Sequence, residues 1–197
     1  MSARHAHSLV DARMACAVDQ PAEDVIRPEG PPDFAAIADV VRRAFRADTE
    51  VALVEAIRRL PGYLPDLSLV AEVGERIVGH VMISRAELDD GGRRHPVATL
   101  SPLAVDPDHQ RRGIGSALVR AVTARADAAG IALAVLEGSP LYYSRFGFEP
   151  SLQHGVHIDL PSWAPPEAGQ VLRLSRYDPS LRGRLVFAAL DQVEGPE

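Results

Sequence analysis

The chain has 197 residues, a formal net charge of −6, and 46% hydrophobic and 24% charged residues, the proportions of one ordinary globular domain. All 21 basic Lys/Arg-type side chains are arginine, which excludes a lysine-bearing phosphate loop and any lysine Schiff-base chemistry. Cys16 is the single cysteine, so neither an intramolecular disulfide nor a cysteine-rich zinc site can form, and the mildly acidic balance argues against a general nucleic-acid binder.

Residues 1–22 mix small, charged and histidine residues without periodicity and are expected to form a flexible tail, with His5 and His7 solvated rather than metal-binding. Asp11, Arg13 and Asp19 interrupt any apolar run there, and no stretch reads as a membrane span. A cytoplasmic location without membrane association is therefore expected. Residues 23–197 are expected to form a single domain.

Val25, Ile26 and Arg27 read as a short strand, ended by Pro28, Gly30, Pro31 and Pro32. Asp33 stands where it can cap a helix reaching about Ala47, with Phe34, Ile37, Val41, Ala44 and Phe45 on one face. A second helix over 50–60 carries Val51, Val54, Ile57 and Leu60 as its apolar stripe and stops at Pro61-Gly62. Residues 67–73 and 76–88 read as a hairpin around Gly74-Glu75. After a tight connection at 89–92, residues 94–105 return as a third strand. A helix over 113–129 follows, with Gly130 at its C-terminal end. Residues 131–136 form a short, wholly apolar strand, as expected for one buried on both faces. Ser139 and Pro140 open a short helix that Gly147 ends. Beyond Pro150 the pattern weakens, with strands expected at 156–158, 171–174 and 185–190 around a proline-rich loop at 161–169. The fold class is α/β with a mixed sheet, mostly antiparallel and parallel near one ligand seat.

That seat lies between the third strand and its helix. The apolar run through Leu103, Ala104 and Val105 ends in Asp106-Pro107. A loop of Gln110, Arg111, Arg112 and Gly113 then opens through Ile114 and Gly115 into Ser116 and the helix. Backbone N–H groups at a helix start have no partners within the helix, and the dipole makes that end positive. Gly113 and Gly115 remove side chains so that phosphate oxygens can approach, and the arginines add charge. Pro102 has no N–H to give a sheet ladder, so its strand must be bulged or unpaired there.

The run from Gln110 to Gly115 resembles the acyl-CoA motif of the GNAT superfamily of N-acetyltransferases: Gln or Arg, two variable residues, Gly, one variable residue, then Gly or Ala. Leu103-Ala104-Val105-Asp106-Pro107 before it and Tyr142-Tyr143-Ser144-Arg145-Phe146-Gly147-Phe148 after it are similar to the family in the same order. The resemblance covers roughly residues 67–150 and is closest to small bacterial acetyltransferases. It implies a GNAT-like fold, in which flanking helices enclose a mostly antiparallel sheet whose central strands splay apart. It also implies acetyl-CoA as co-substrate, without a metal. On this resemblance Leu103, Ala104 and Val105 face the pantetheine arm and thioester. Gln110, Arg111, Arg112, Gly113, Ile114, Gly115 and Ser116 hold the diphosphate.

Tyr143, four residues before Gly147, takes the place of the family's general acid, which protonates the departing thiolate. Tyr142 falls in the family's apolar slot. The asparagine that many members carry ahead of this tyrosine is absent from 135–139. No residue is identified as general base: Glu137, His80 and His95 are the candidates on strands. The expected activity is acetyl transfer to a primary amine of a small molecule or peptide by direct attack. A non-catalytic acyl-CoA-binding sensor or interaction module shares the glycine loop and is the alternative. The expected partners are acetyl-CoA and an amine acceptor, in a monomer or homodimer.

Overall fold

The structure is a computed structural model that describes residues 25–187. In chain order it contains β1 (Val25–Pro28), α1 (Phe34–Phe45), α2 (Thr49–Arg58), β2 (Ser68–Val73), β3 (Arg76–Asp90), β4 (Arg93–Val105) and α3 (Ile114–Ala128). These are followed by β5 (Leu133–Glu137), α4 (Pro140–Tyr143), β6 (Glu149–Pro150), β7 (Val156–His157), β8 (Gly169–Arg173) and β9 (Gly183–Val186). The expected tail over 1–22 and the last residues of the expected final strand lie outside the described residues.

Differences from the sequence-based boundaries have local causes. Asp33 does not cap α1. Its carboxylate accepts from the Gly30 N–H at 2.8 Å and pairs with Arg27, so it ties down the turn before the helix instead. α1 stops at Phe45 because Arg46 adopts a left-handed conformation (φ 57°) and bonds back to Arg42. Ile131 is not yet strand: its N–H still bonds to the Ala126 carbonyl at 3.1 Å, closing the end of α3.

The main path of one nine-stranded sheet runs in the order β1-β2-β3-β4-β5-β8-β6, with β9 added beside β3 and β7 beside β9. All pairings along that path are antiparallel except β4 with β5. The edge of β3 is divided. β2 pairs with Arg76–Met82, and β9 pairs with Glu87–Asp89. In the gap between them the Arg85 N–H donates to the Gly62 carbonyl at 2.9 Å. The C-terminal strands thus complete the sheet within the same chain.

Helical spacing decides which faces are buried. Ile37 and Val41 on α1 and Val54 and Ile57 on α2 pack against Val70, Met82 and Ala104 on one face of the sheet. Leu118, Val119 and Val122 on α3 pack against Leu69, Val81 and Leu100 on the other. All three α3 side chains are fully buried, each contributing about 1.5–3 kcal/mol of apolar transfer. Gly79 sets how closely α3 approaches: a Cβ there would stand 2.9 Å from Leu118 Cδ1 and 3.1 Å from Ile114 Cγ2. The start of α3 is therefore seated directly on β3. A third cluster, with Leu88, Val97, Leu133 and Val171, locks the C-terminal strands to the same sheet.

Candidate active site

β4 carries the irregularity that Pro102 requires. Its register against β3 runs from Arg93 opposite Asp90 to Leu100 opposite Ile83, and resumes with Leu103 opposite Val81. Ser101 and Pro102 together span the step across from Met82, which is a bulge. On its other side β4 pairs with β5 only at Ala98 with Ala134 and Thr99 with Val135. Beyond Thr99, among the described residues, β4 has no further ladder to β5. The two parallel strands part into a slot whose edge is unpaired main chain.

The slot leads to the loop before α3. Asp106 is buried and holds the turn: it accepts from the Asp108 N–H at 2.9 Å and pairs with Arg43 of α1 at 2.6 Å. Arg43 also reaches Asp108 at 2.8 Å. Arg111 (φ 61°) and Gly113 (φ 90°) are both left-handed, which turns successive main-chain N–H groups toward a concavity. The first intrahelical bond runs from the Ala117 N–H to the Gly113 carbonyl, so the N–H groups of Ile114, Gly115 and Ser116 precede the ladder.

A cavity of about 530 Å³ opens over these groups, lined on the loop side by Val105, His109, Gln110, Arg111 and residues 113–116. Tyr142 and Arg145 close it from α4 and the turn after it. Its described lining holds no carboxylate. The nearest ones, Asp106 and Asp108, are engaged by Arg43, so the concavity presents N–H groups and arginines to an anion.

The residues expected from the sequence divide into those that meet here and those that do not. Val105, Gln110, Arg111, Gly113, Ile114, Gly115 and Ser116 all line the cavity. The Gln110 amide, however, donates to the Val105 carbonyl at 3.1 Å and so braces the end of β4. Arg112 is exposed and outside the lining. Leu103 packs on the α3 side of the sheet, whereas Ala104 is buried beneath α1 and α2.

Tyr142 and Arg145 were not expected at the anion cavity. Arg145 stacks over the Tyr142 ring at 4.5 Å and donates through Nε to the Tyr142 carbonyl at 3.1 Å. Its sequence signal was a cation three residues after a tyrosine in a short helix, enough to place both on one side of a turn.

Tyr143 lies deeper. Its ring packs edge-on against Tyr142 (4.9 Å) and Phe148 (5.6 Å) and covers Gly138, which directly follows β5. Burial, and then the neighbouring Tyr142, push its hydroxyl well above the ordinary value, so it holds its proton.

The three strand residues weighed as bases differ. His80 is completely buried, 3.0 Å from Glu29 and 3.2 Å from Ser68. Glu29 also accepts from Arg58 (2.8 and 2.9 Å) and Tyr63 (2.8 Å). Burial alone would raise the Glu29 carboxyl, but these donors outweigh it and hold it below the usual range. Burial lowers His80, leaving a neutral imidazole beside an anionic Glu29 paired to Arg58. The site chemistry does not need this network, which pins β1, α2 and the centre of the sheet together. His95 is buried opposite Leu88, several pairs away from the bulge. Glu137 is exposed at the end of β5. Among the described residues no group of three or more His, Cys, Asp or Glu side chains gathers to hold a metal ion, and no helix is long and apolar enough to cross a membrane.

A sheet that parts beside a bulged strand, with a glycine- and arginine-bearing helix start at the end of the slot, defines the acyltransferase class. The family described as "Acetyltransferase (GNAT) domain" matches residues 25–151, and the chain belongs to it. Among curated proteins it is 34% identical to the uncharacterized N-acetyltransferase YhbS of Escherichia coli (strain K12), over 81% of this chain and 91% of that protein. The crystal structure of YhbS from Escherichia coli in complex with CoA has a TM-score of 0.76 at 29% identity, covering 90% of this chain and 96% of that one. A GNAT family acetyltransferase from Brucella melitensis in complex with acetyl-CoA has a TM-score of 0.68 at 31% identity, covering 86% and 99%. The chain is thus an N-acetyltransferase by family and fold.

Proposed function

We propose that the chain transfers the acetyl group of acetyl-CoA to a primary amine by direct attack, in a cytoplasmic setting. The observation that carries this reading is an anion cavity over the loop that follows β4, the strand that is bulged at Ser101-Pro102 and has no described ladder to β5 beyond Thr99. The diphosphate is held by the N–H groups of Ile114, Gly115 and Ser116 with Arg111 and Arg145. The pantetheine arm lies along the unpaired edge of β4, as an added strand would.

The amine nitrogen attacks the thioester carbonyl carbon, and the carbonyl electrons move onto oxygen. When they return, the C–S bond breaks. The leaving thiolate takes the Tyr143 proton, the new amide loses its extra proton to water, and solvent returns a proton to the Tyr143 oxygen. Tyr143 is protonated at neutral pH and so has a proton to give the thiolate. Positioning the two reactants supplies much of the acceleration. Nothing in the reading requires a covalent enzyme intermediate.

Calorimetry with CoA, followed by a thiol-release assay with acetyl-CoA and a panel of amines, tests it. Binding, thiol release and an acetyl mass gain on the amine are expected. CoA binding with no thiol release from any amine would overturn it.

A further inference from the structure

A smaller cavity lies on the opposite side of the sheet from Tyr143. It has a volume of about 320 Å³ and sits over the gap in the β3 edge between β2 and β9. Its walls are Leu53 and Ile57 of α2, Leu60 beyond it, and Phe187 after β9. Its floor bears three small hydroxyls: Ser84 on β3, and Thr99 and Ser101 on β4. Thr99 is the last residue of β4 paired to β5, and Ser101 begins the bulge. The cavity therefore borders the slot just where the two strands part. A thioester drawn through the slot from the Tyr143 side would meet a molecule held here.

Its chemistry is one-sided. The described lining has no carboxylate and no histidine, and Arg85 is its one ionisable residue. A substrate ammonium finds no counterion among the described lining residues. The volume has room for about ten water-sized groups, enough for one ring or a branched chain. The hydroxyls of Ser84, Thr99 and Ser101 can accept from an amine N–H without charge.

Resting on the acetyl-transfer reading above, we propose that this cavity takes the body of the acceptor. The acceptor is a primary amine carried on an uncharged aromatic or branched aliphatic group, rather than a polyamine. The amine reaches the thioester in its neutral form, its proton left to solvent on entry.

Steady-state acetylation of 2-phenylethylamine and spermidine tests this. With wild-type enzyme, kcat/KM for 2-phenylethylamine is expected to exceed that for spermidine by about tenfold or more, the scale on which an apolar pocket discriminates. Leu53→Glu places a carboxylate in the wall. It should shift the ratio toward spermidine by about fivefold or more while leaving the CoA Kd unchanged. Leu60→Glu repeats the test from the neighbouring wall, and circular dichroism checks that each variant is folded. Spermidine matching 2-phenylethylamine would overturn the proposal, as would an unmoved ratio in folded variants. Thiol release from no amine, with CoA still bound, would instead overturn the transfer reading itself.

Discussion

The hydroxyl of Tyr142 stands over Gly115: a Cβ at position 115 would lie 2.8 Å from Tyr142 Oη. α4 thereby touches the first turn of α3, and the wall and floor of the anion cavity are set against each other. Gly115→Ala is expected to weaken CoA binding about tenfold, because the methyl group drives Tyr142 into the cavity. Replacing a helical glycine by alanine should at the same time stabilise the fold by roughly 0.5–1 kcal/mol. Tyr142→Phe in the same chain removes the clashing oxygen and should restore most of the affinity. Calorimetry on the two single variants and the double variant reads this coupling; additive losses would show that the contact is unimportant.

Tyr143→Phe should lower kcat by about 10²-fold or more, the scale of a general acid, with the CoA Kd unchanged within about twofold. Burial raises the Tyr143 pKa above its ordinary value of 10.0, so the acid stays protonated as pH rises toward that value. The alkaline limb of the wild-type kcat profile should therefore show no loss from this group below pH 10.0. A turnover equal to wild type in the phenylalanine variant removes Tyr143 from the reaction.

The Glu29–Arg58–His80 network makes stability pH-dependent. Glu29 titrates below its ordinary 4.5 in the folded chain, so its contribution is present above pH 4.5 and is lost as pH falls below it. His80 titrates below its ordinary 6.5, so unfolding takes up a proton once pH drops under 6.5, and stability declines from there. Urea midpoints should fall between pH 7 and pH 5, and His80→Gln should flatten that decline. Arg58→Ala leaves the Glu29 carboxylate buried and unpaired by a cation, and should cost about 3–5 kcal/mol at neutral pH. A pH-independent midpoint would contradict the assigned charge states.

Arg111 is a non-glycine residue held at φ 61°. Arg111→Gly should relieve that conformation and raise stability by up to about 1 kcal/mol, while removing one cation from the anion cavity. CoA affinity should fall and its dependence on salt should flatten. Unchanged affinity and salt response would show that the guanidinium points away from the diphosphate.

Much of this was legible from residue order because the causes are local. Val51, Val54 and Ile57 fall on one helical face whatever surrounds them, and Pro102 cannot complete a ladder in any fold. The loop at 110–116 combines glycine, arginine and a helix start within a few residues. What stayed hidden depends on contacts between distant segments. Glu29 and His80 are 51 positions apart, and neither shows in isolation that it needs the other. Tyr142 reads as packing until α4 is laid over the start of α3. Asp33 reads as a cap until Arg27 and the Gly30 N–H compete for its carboxylate. The hydroxyls of Ser84, Thr99 and Ser101 were visible as small polar residues in apolar strands, but only the pairing of β3 with β4 gathers them under one cavity.

The divided edge of β3 bears on how the gene product can be trimmed. A polypeptide cut back to residues 25–151 would keep every residue that lines the anion cavity, and Tyr143 as well. It would also strip β8 from β5 and β9 from β3, uncovering Val135, Leu133 and Leu88. The portion that carries the motifs therefore borrows its solubility from the weakly patterned sequence that follows it.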